Sequence, residues 1–160
     1  MTEAISNTSP LLYLHRIGAL DWLSRLFDRV LVPGAVVEEL EAGQRRGYDA
    51  PGARCLEWAQ VVEPRCTPSE WLASDLGAGE LAVLALALEN PTYTVLLDDA
   101  LARRTAHAAG LTVMGTLGIL LEAKSRGLIP SVAPWLDRLE SAGMWLSLSL
   151  RQRILRLAGE

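Results

Sequence analysis

Thr94-Val-Leu-Leu-Asp-Asp-Ala-Leu-Ala-Arg103 is the stretch that decides the fold. A short, unbroken apolar run is closed by two carboxylates, and a helical pattern to about residue 109 follows. A run of this kind, with no polar alternation, reads as a strand buried on both faces. The same grammar recurs on either side. Ala4-Ile5-Ser6 leads into Asn7-Thr8-Ser9-Pro10 and then Leu11-Leu12-Tyr13-Leu14, with Ser9 as the expected N-cap and Pro10 at the first helical position. Arg29-Val30-Leu31-Val32 leads through Pro33 into a helix to about residue 42. Leu111-Thr112-Val113-Met114 leads through Gly115 and Thr116, the latter a natural N-cap, into a helix to about residue 126 that Gly127 stops. Val61-Val62 reads as a further short strand. Strands of this type alternating with helices indicate an α/β fold, a parallel sheet covered on both faces.

Beyond these units, residues 78–89 are apolar nearly all round and read as a buried helix. The tail shows helical periodicity over residues 131–142 and again over 147–157, and residues 43–52 read as a loop. No repeat or low-complexity tract interrupts the chain, and its 160 residues suit one domain. Half the residues are hydrophobic and about a fifth charged, the balance of a globular chain. The opening Met-Thr-Glu-Ala has no basic leader, and the longest apolar run, residues 81–88, is far short of a bilayer span. A soluble cytoplasmic protein is expected.

The net charge of −4 conceals the layout of the cations. Fourteen of the fifteen basic residues are Arg, with clusters at Arg45-Arg46, at Arg103-Arg104, and at Arg151, Arg153 and Arg156. Arg grips phosphate bidentately, so charge does not exclude RNA. Cys55 and Cys66 form no metal-binding pattern and read as reduced thiols. His15 and His107 have no partner at ligand spacing. Gly77-Ala78-Gly79 lacks the third glycine and the lysine of a phosphate loop.

In an open parallel sheet, ligands bind beyond the carboxyl ends of the strands, which directs attention to the residues that close them. Asn7 closes the first strand; Asp98, with Asp99 beside it, closes the stretch quoted above. Glu39 flanks the apolar stripe of Val36, Val37 and Leu40, whereas Glu38 points away from it. Glu80 lies in the first turn of the buried helix, above Val83, Leu84, Ala87 and Leu88. A carboxylate among apolar neighbours must be paired, protonated or bound to a cation. If Glu39, Glu80 and Asp98 converge, their repulsion is relieved by a hard divalent ion such as Mg²⁺ or Mn²⁺. An acidic, metal-binding pocket without a histidine base suits phosphodiester hydrolysis. Simpler roles exist for each residue: helix capping for Asp98, Asp99 and Thr116, dipole compensation for Glu80, and an ordinary boundary position for Glu39.

Taken in order, five segments resemble the PIN-domain superfamily, and most closely its compact prokaryotic, VapC-like subgroup. They are Ile5-Ser-Asn-Thr-Ser-Pro-Leu-Leu12, Val32-Pro-Gly-Ala-Val-Val-Glu-Glu-Leu40, Leu76-Gly-Ala-Gly-Glu80, Leu97-Asp-Asp-Ala-Leu-Ala-Arg103 and Val113-Met-Gly-Thr-Leu-Gly-Ile-Leu120, spanning residues 4–130. The resemblance implies a three-layer α/β/α sandwich occupying 1–160, with a core over about 4–130 and C-terminal helices over about 131–158. It implies a divalent-metal-dependent endoribonuclease, the toxin of a type II toxin–antitoxin pair. The acidic positions fall on Asn7, Glu39, Glu80 and Asp98, with Glu39, Glu80 and Asp98 catalytic and Asp99, Thr116 and Ser9 supporting. Asn7 departs from the family's usual Asp; its carbonyl oxygen still coordinates a cation but removes one negative charge. A catalytically weak or inactive RNA-binding module is therefore the alternative reading. A phosphoacceptor domain built on Asp98-Asp99 fits poorly, since the only lysine is Lys124. The resemblance also implies an RNA substrate, a small antitoxin partner and a homodimer, and no membrane. Trp135, Met144 and Trp145 are large apolar groups suited either to such contacts or to the core.

Overall fold

The computed structural model describes residues 2–66 and 75–160; Met1 and residues 67–74, part of the expected 1–160 span, lie outside the described residues. Its centre is a five-stranded, entirely parallel sheet in the order β3-β2-β1-β4-β5. The strands are β1 (Glu3–Ser6), β2 (Arg29–Val32), β3 (Ala59–Val61), β4 (Thr94–Leu96) and β5 (Val113–Met114). Ile5 pairs with Leu31 on one side and Val95 on the other, and all three side chains are buried. Strands lying inside the molecule on both faces are apolar where buried, and this is why the unbroken runs identified β1, β2 and β4. Strand β3, with Gln60 and Val61 exposed, is not of this kind.

Helices α1 (Thr8–Arg16), α2 (Trp22–Leu26), α3 (Gly34–Arg45), α4 (Ala78–Glu89), α5 (Ala100–Ala108) and α6 (Thr116–Ser125) flank the sheet, completing the α/β/α sandwich. Helices α7 (Ala133–Ser141) and α8 (Leu148–Leu157) follow. Helix α4 buries Gly79 and residues 83–87, as its all-round apolar pattern predicts. Gly127, at φ 71°, turns the chain out of α6 in a left-handed conformation that other residues adopt only at a cost. Among the described residues no helix is long and apolar enough to cross a membrane.

Several boundaries differ from expectation. Helix α1 starts at Thr8 with Asn7 as N-cap, so Ser9 is the second helical residue and Pro10 the third. Proline is tolerated throughout a first turn whose N–H groups lack intrahelical partners, so it does not fix the first residue. Thr116 is likewise not the cap of α6 but its first residue, Gly115 taking the cap. Helix α3 continues to Arg45, into the segment read as loop, and β3 lies at 59–61 rather than 61–62. The single-turn α2 is too short to show a period. Cys55 and Cys66 are free and exposed.

The last residue ties the tail down. Glu160 accepts hydrogen bonds from Lys124 Nζ at 2.7 Å and from the backbone N–H of Val132 at 2.6 Å and Ala133 at 3.1 Å. The Lys124 bond, followed by the Val132 bond, lowers its pKa below the usual carboxylate range. Trp135 packs edge-on against Trp22, with the Arg138 guanidinium 4.4 Å from its ring centre, which settles it as a core-facing residue. Trp145, by contrast, is 83% exposed.

Candidate metal centre

Strand order reverses about β1: β2 and β3 extend to one side, β4 and β5 to the other. The gap between the carboxyl ends of β1 and β4 is thus the topological switch point, where such sheets leave a crevice for a ligand. Asn7 and Asp98 emerge on its two sides, and Thr116 follows β5 next to Asp98. Among the described residues the buried polar side chains are Ser6, Asn7 and Thr116, all at this edge. Buried polar groups are the informative exception in a protein interior.

Asp98 anchors one wall. Its Oδ1 accepts from the backbone N–H of Thr116 at 2.7 Å and its Oδ2 from the Thr116 hydroxyl at 2.6 Å. The carboxylate therefore serves the N-terminus of α6, a role the following helix α5 does not need: Asp99 caps α5, accepting from Ala102 N–H at 2.8 Å. Burial pushes the Asp98 pKa up, and this outweighs the opposing influence of the two Thr116 bonds and the Arg103 guanidinium. The anion is under-compensated where it stands. The backbone approach is equally tight, since a Cβ on Gly115 would lie 2.8 Å from Arg103 Nη1 and 3.1 Å from Asp98 Oδ1.

Glu80 lines the same cleft as Asp98, with Asn7 buried beside it. Asn7 Nδ2 donates to Glu80 Oε1 at 3.0 Å. The reverse orientation would set the amide oxygen against a carboxylate, so the chemistry fixes which way the amide points. Its Oδ1 is consequently left buried without a hydrogen-bond partner, the one such side-chain atom among the described residues. An unmet buried acceptor costs about 1–3 kcal/mol.

Glu39 is partly buried and Glu38 exposed, as the helical wheel indicates. Glu39 Oε1 accepts from Gly79 N–H at 2.9 Å, and Oε2 accepts from the Thr8 hydroxyl. These partners are the chain neighbours of Glu80 and Asn7. Glu39 thus ties α3 to the first turns of α1 and α4, and a Cβ on Gly79 would fall within 2.7 Å of its carboxylate. The N-termini of α1, α4 and α6, each bearing partial positive charge, meet these acidic groups.

Glu80 and Asp98 line one cleft of about 450 Å³ with Ser9, Asp99, Tyr13 and Arg103. Of the expected set, Glu80 and Asp98 share the cleft lining while Asn7 and Glu39 lie outside it, and among the described residues no three of His, Cys, Asp and Glu gather as a metal-holding group. The Gly79 N–H and the Thr8 hydroxyl hold the Glu39 carboxylate against the first turns of α4 and α1. What remains is two carboxylates and an amide oxygen. That all-oxygen set, with an orphaned buried acceptor and an anion held at a burial cost, fits a hard divalent cation.

Residues beyond the acidic pattern also enter the site. Arg103 reaches the cleft from α5, its only prior signal being the Arg103-Arg104 pair. Tyr13, Leu117 and the 144–146 and 150 side chains carried no signal tying them to the acids, because tertiary packing brings them there. His15 pairs with Asp49 at 2.8 Å, away from the cleft.

A family model described as DUF3368: PIN domain matches residues 3–160 of the chain. No curated protein matches it.

Proposed function

The chain belongs to the PIN-domain family, a nuclease fold, and on that premise we propose that it is a Mg²⁺- or Mn²⁺-dependent endoribonuclease whose centre is Asn7, Glu80 and Asp98. The unpartnered, buried Oδ1 of Asn7, whose Nδ2 is bonded to Glu80, carries this reading. Asn7, Glu80 and Asp98 would hold the ion; Glu39 positions Asn7 and Glu80 through Thr8 and Gly79, and Thr116 fixes Asp98. A divalent ion bound there supplies Lewis acidity and a water of lowered pKa. Arg103, with its planar donors in the same cleft, would grip a phosphate and offset developing charge. Ser9 and Asp99 line the same cleft, where they would orient water or ribose hydroxyls. The whole of 1–160 acts as one PIN-like domain in this reading, in the cytoplasm, and the resemblance to VapC-like chains extends it to a toxin held in check by a small antitoxin, working as a homodimer.

Incubation of the purified protein with unstructured RNA tests the activity. Cleavage requiring Mn²⁺, stopped by EDTA and lost in Asp98→Asn, is expected. Intact RNA under every condition would refute it in favour of the second reading, a non-catalytic RNA-binding module. That alternative draws on the Asn7–Glu80 hydrogen bond, which gives the site a self-sufficient contact that two carboxylates would lack.

A further inference from the structure

The cleft lining combines two chemistries. Ser9, Glu80, Asp98, Asp99 and Arg103 are polar or charged, whereas Leu117, Met144, Trp145, Leu146 and Leu150 are apolar or aromatic. Trp145 stands in the turn between α7 and α8, 83% exposed, with Leu148 of the next helix 71% exposed beside it in sequence. An indole left in water at the mouth of a cleft forgoes the burial that Trp normally obtains, since aromatic side chains bury roughly 150–250 Å² each. The surrounding turn is not loose: Met144 N–H donates to Leu139 O at 3.0 Å, Met144 and Leu146 pack on the core, and Ser147 caps α8 through Leu150 N–H at 3.2 Å. The ring is thus presented from a fixed backbone.

We propose that Trp145 is a stacking platform for an unpaired base of a single-stranded RNA whose phosphate lies by Arg103 in the same cleft. The inference rests on the ribonuclease reading and adds a substrate feature to it: a strand with an unstacked base. A nucleotide offers the same two chemistries as the cleft lining, a charged phosphate and an apolar π-face. The volume of about 450 Å³ lies within the 300–1,000 Å³ typical of small-ligand clefts. Bases in single strands are free to splay onto aromatic rings, whereas those of an A-form duplex are stacked on one another. An ion at the acidic residues together with Arg103 would attract a phosphate, so the charge pattern favours RNA; a protein segment seated here, the antitoxin included, would compete with it.

The test is binding of a ten-nucleotide RNA carrying 2-aminopurine, measured with Ca²⁺ in place of Mn²⁺ so that affinity is read apart from cleavage. Trp145→Ala is expected to weaken binding about 5- to 150-fold, the range for loss of one stacked base, and to abolish 2-aminopurine quenching. Trp145→Phe should restore most of both, and affinity for a blunt duplex should be the same in all three proteins. With so exposed a ring the variants should melt with the wild type. Equal affinity of Trp145→Ala and wild type within twofold, or an equal loss on duplex, overturns the proposal. So does a concentration-dependent mass change that Trp145→Ala removes, which would assign the ring to a second copy of the chain. Trp145-dependent binding without any cleavage in Mn²⁺ sustains the platform while the nuclease reading falls; cleavage indifferent to Trp145 does the reverse.

Discussion

Replacing Asn7 by Asp restores the fourth acidic group and exposes what the amide does. In the wild type, Asn7 Nδ2 donates to Glu80 Oε1 at 3.0 Å. With Asp there, the hydrogen bond becomes a contact between two carboxylates. At that separation their repulsion is on the order of 5 kcal/mol with an effective dielectric of about 20. A cheaper route exists. Keeping one proton at pH 7 on a carboxyl whose ordinary pKa is about 3.9 costs about 4 kcal/mol, and the proton restores a hydrogen bond across the pair. Protonation therefore sets the loss, about 4 kcal/mol at pH 7 and about 1.5 at pH 5.

The sign follows from linkage. The folded Asn7→Asp protein retains a proton that the unfolded chain releases, so its deficit grows as pH rises above about 4. Against a total stability of about 5–15 kcal/mol this is large enough to read in urea melts at the two pH values. A divalent ion reverses the balance, because it replaces the shared proton with two positive charges. Millimolar Mn²⁺ should restore most of the lost stability at pH 7 and shift the variant's midpoint more than the wild type's. An Asn7→Asp protein within about 1 kcal/mol of wild type at pH 7 without metal would refute the contact energetics. Equal Mn²⁺ shifts in the two proteins would remove Asn7 from the ion's surroundings.

Gly79→Ala would place a methyl within 2.7 Å of the Glu39 carboxylate and displace it from Gly79 N–H; a loss of about 1–3 kcal/mol in melting experiments, with weaker Mn²⁺ binding, is expected. Thr116→Val removes the hydroxyl that donates to Asp98 Oδ2; denaturant melts should show about 1.5–3 kcal/mol lost without metal, and less with Mn²⁺ present. Because the Glu160 pKa is lowered, its contribution is present above the ordinary carboxylate range and disappears as pH falls through the folded value. Hydrogen exchange at Val132 and Ala133 should therefore accelerate on acidification relative to the α6 interior, and Glu160→Gln should show the faster exchange already at neutral pH.

How much was legible in the sequence depended on the range of the interaction. The strands were readable because a doubly buried strand must be apolar at every position, and Val30–Val32 and Val95–Leu97 declare this locally. The choice of Glu39 over Glu38 was readable for the same reason, as a helix face is fixed by spacing alone. Helix starts were less so: Ser9-Pro10 and Gly115-Thr116 each allow two registers, and the contacts that decide come from elsewhere, Leu96 O receiving Asn7 N–H and Asp98 receiving Thr116 N–H. Sequence offered a set of candidate acidic positions but not their geometry. Nothing near Glu39 in sequence announces that Thr8 and Gly79 will capture it, and nothing near Trp145 announces Asp98.

Asn7 ties these levels together. A carboxylate there would make the ion-free site expensive, and the cost would fall on the junction of β1 and α1 where the sheet reverses its order. The amide avoids that by giving Glu80 a donor, yet it can use only one end of itself in doing so, and the other end, Oδ1, stays buried and unmet. In the proposed centre, the residue that gives Glu80 its donor is thus also the one that would offer an acceptor to the ion. A site built this way should bind its ion more weakly than one with four carboxylates while folding more securely before the ion arrives, which is the exchange of affinity for apo stability that the Asn7→Asp comparison measures.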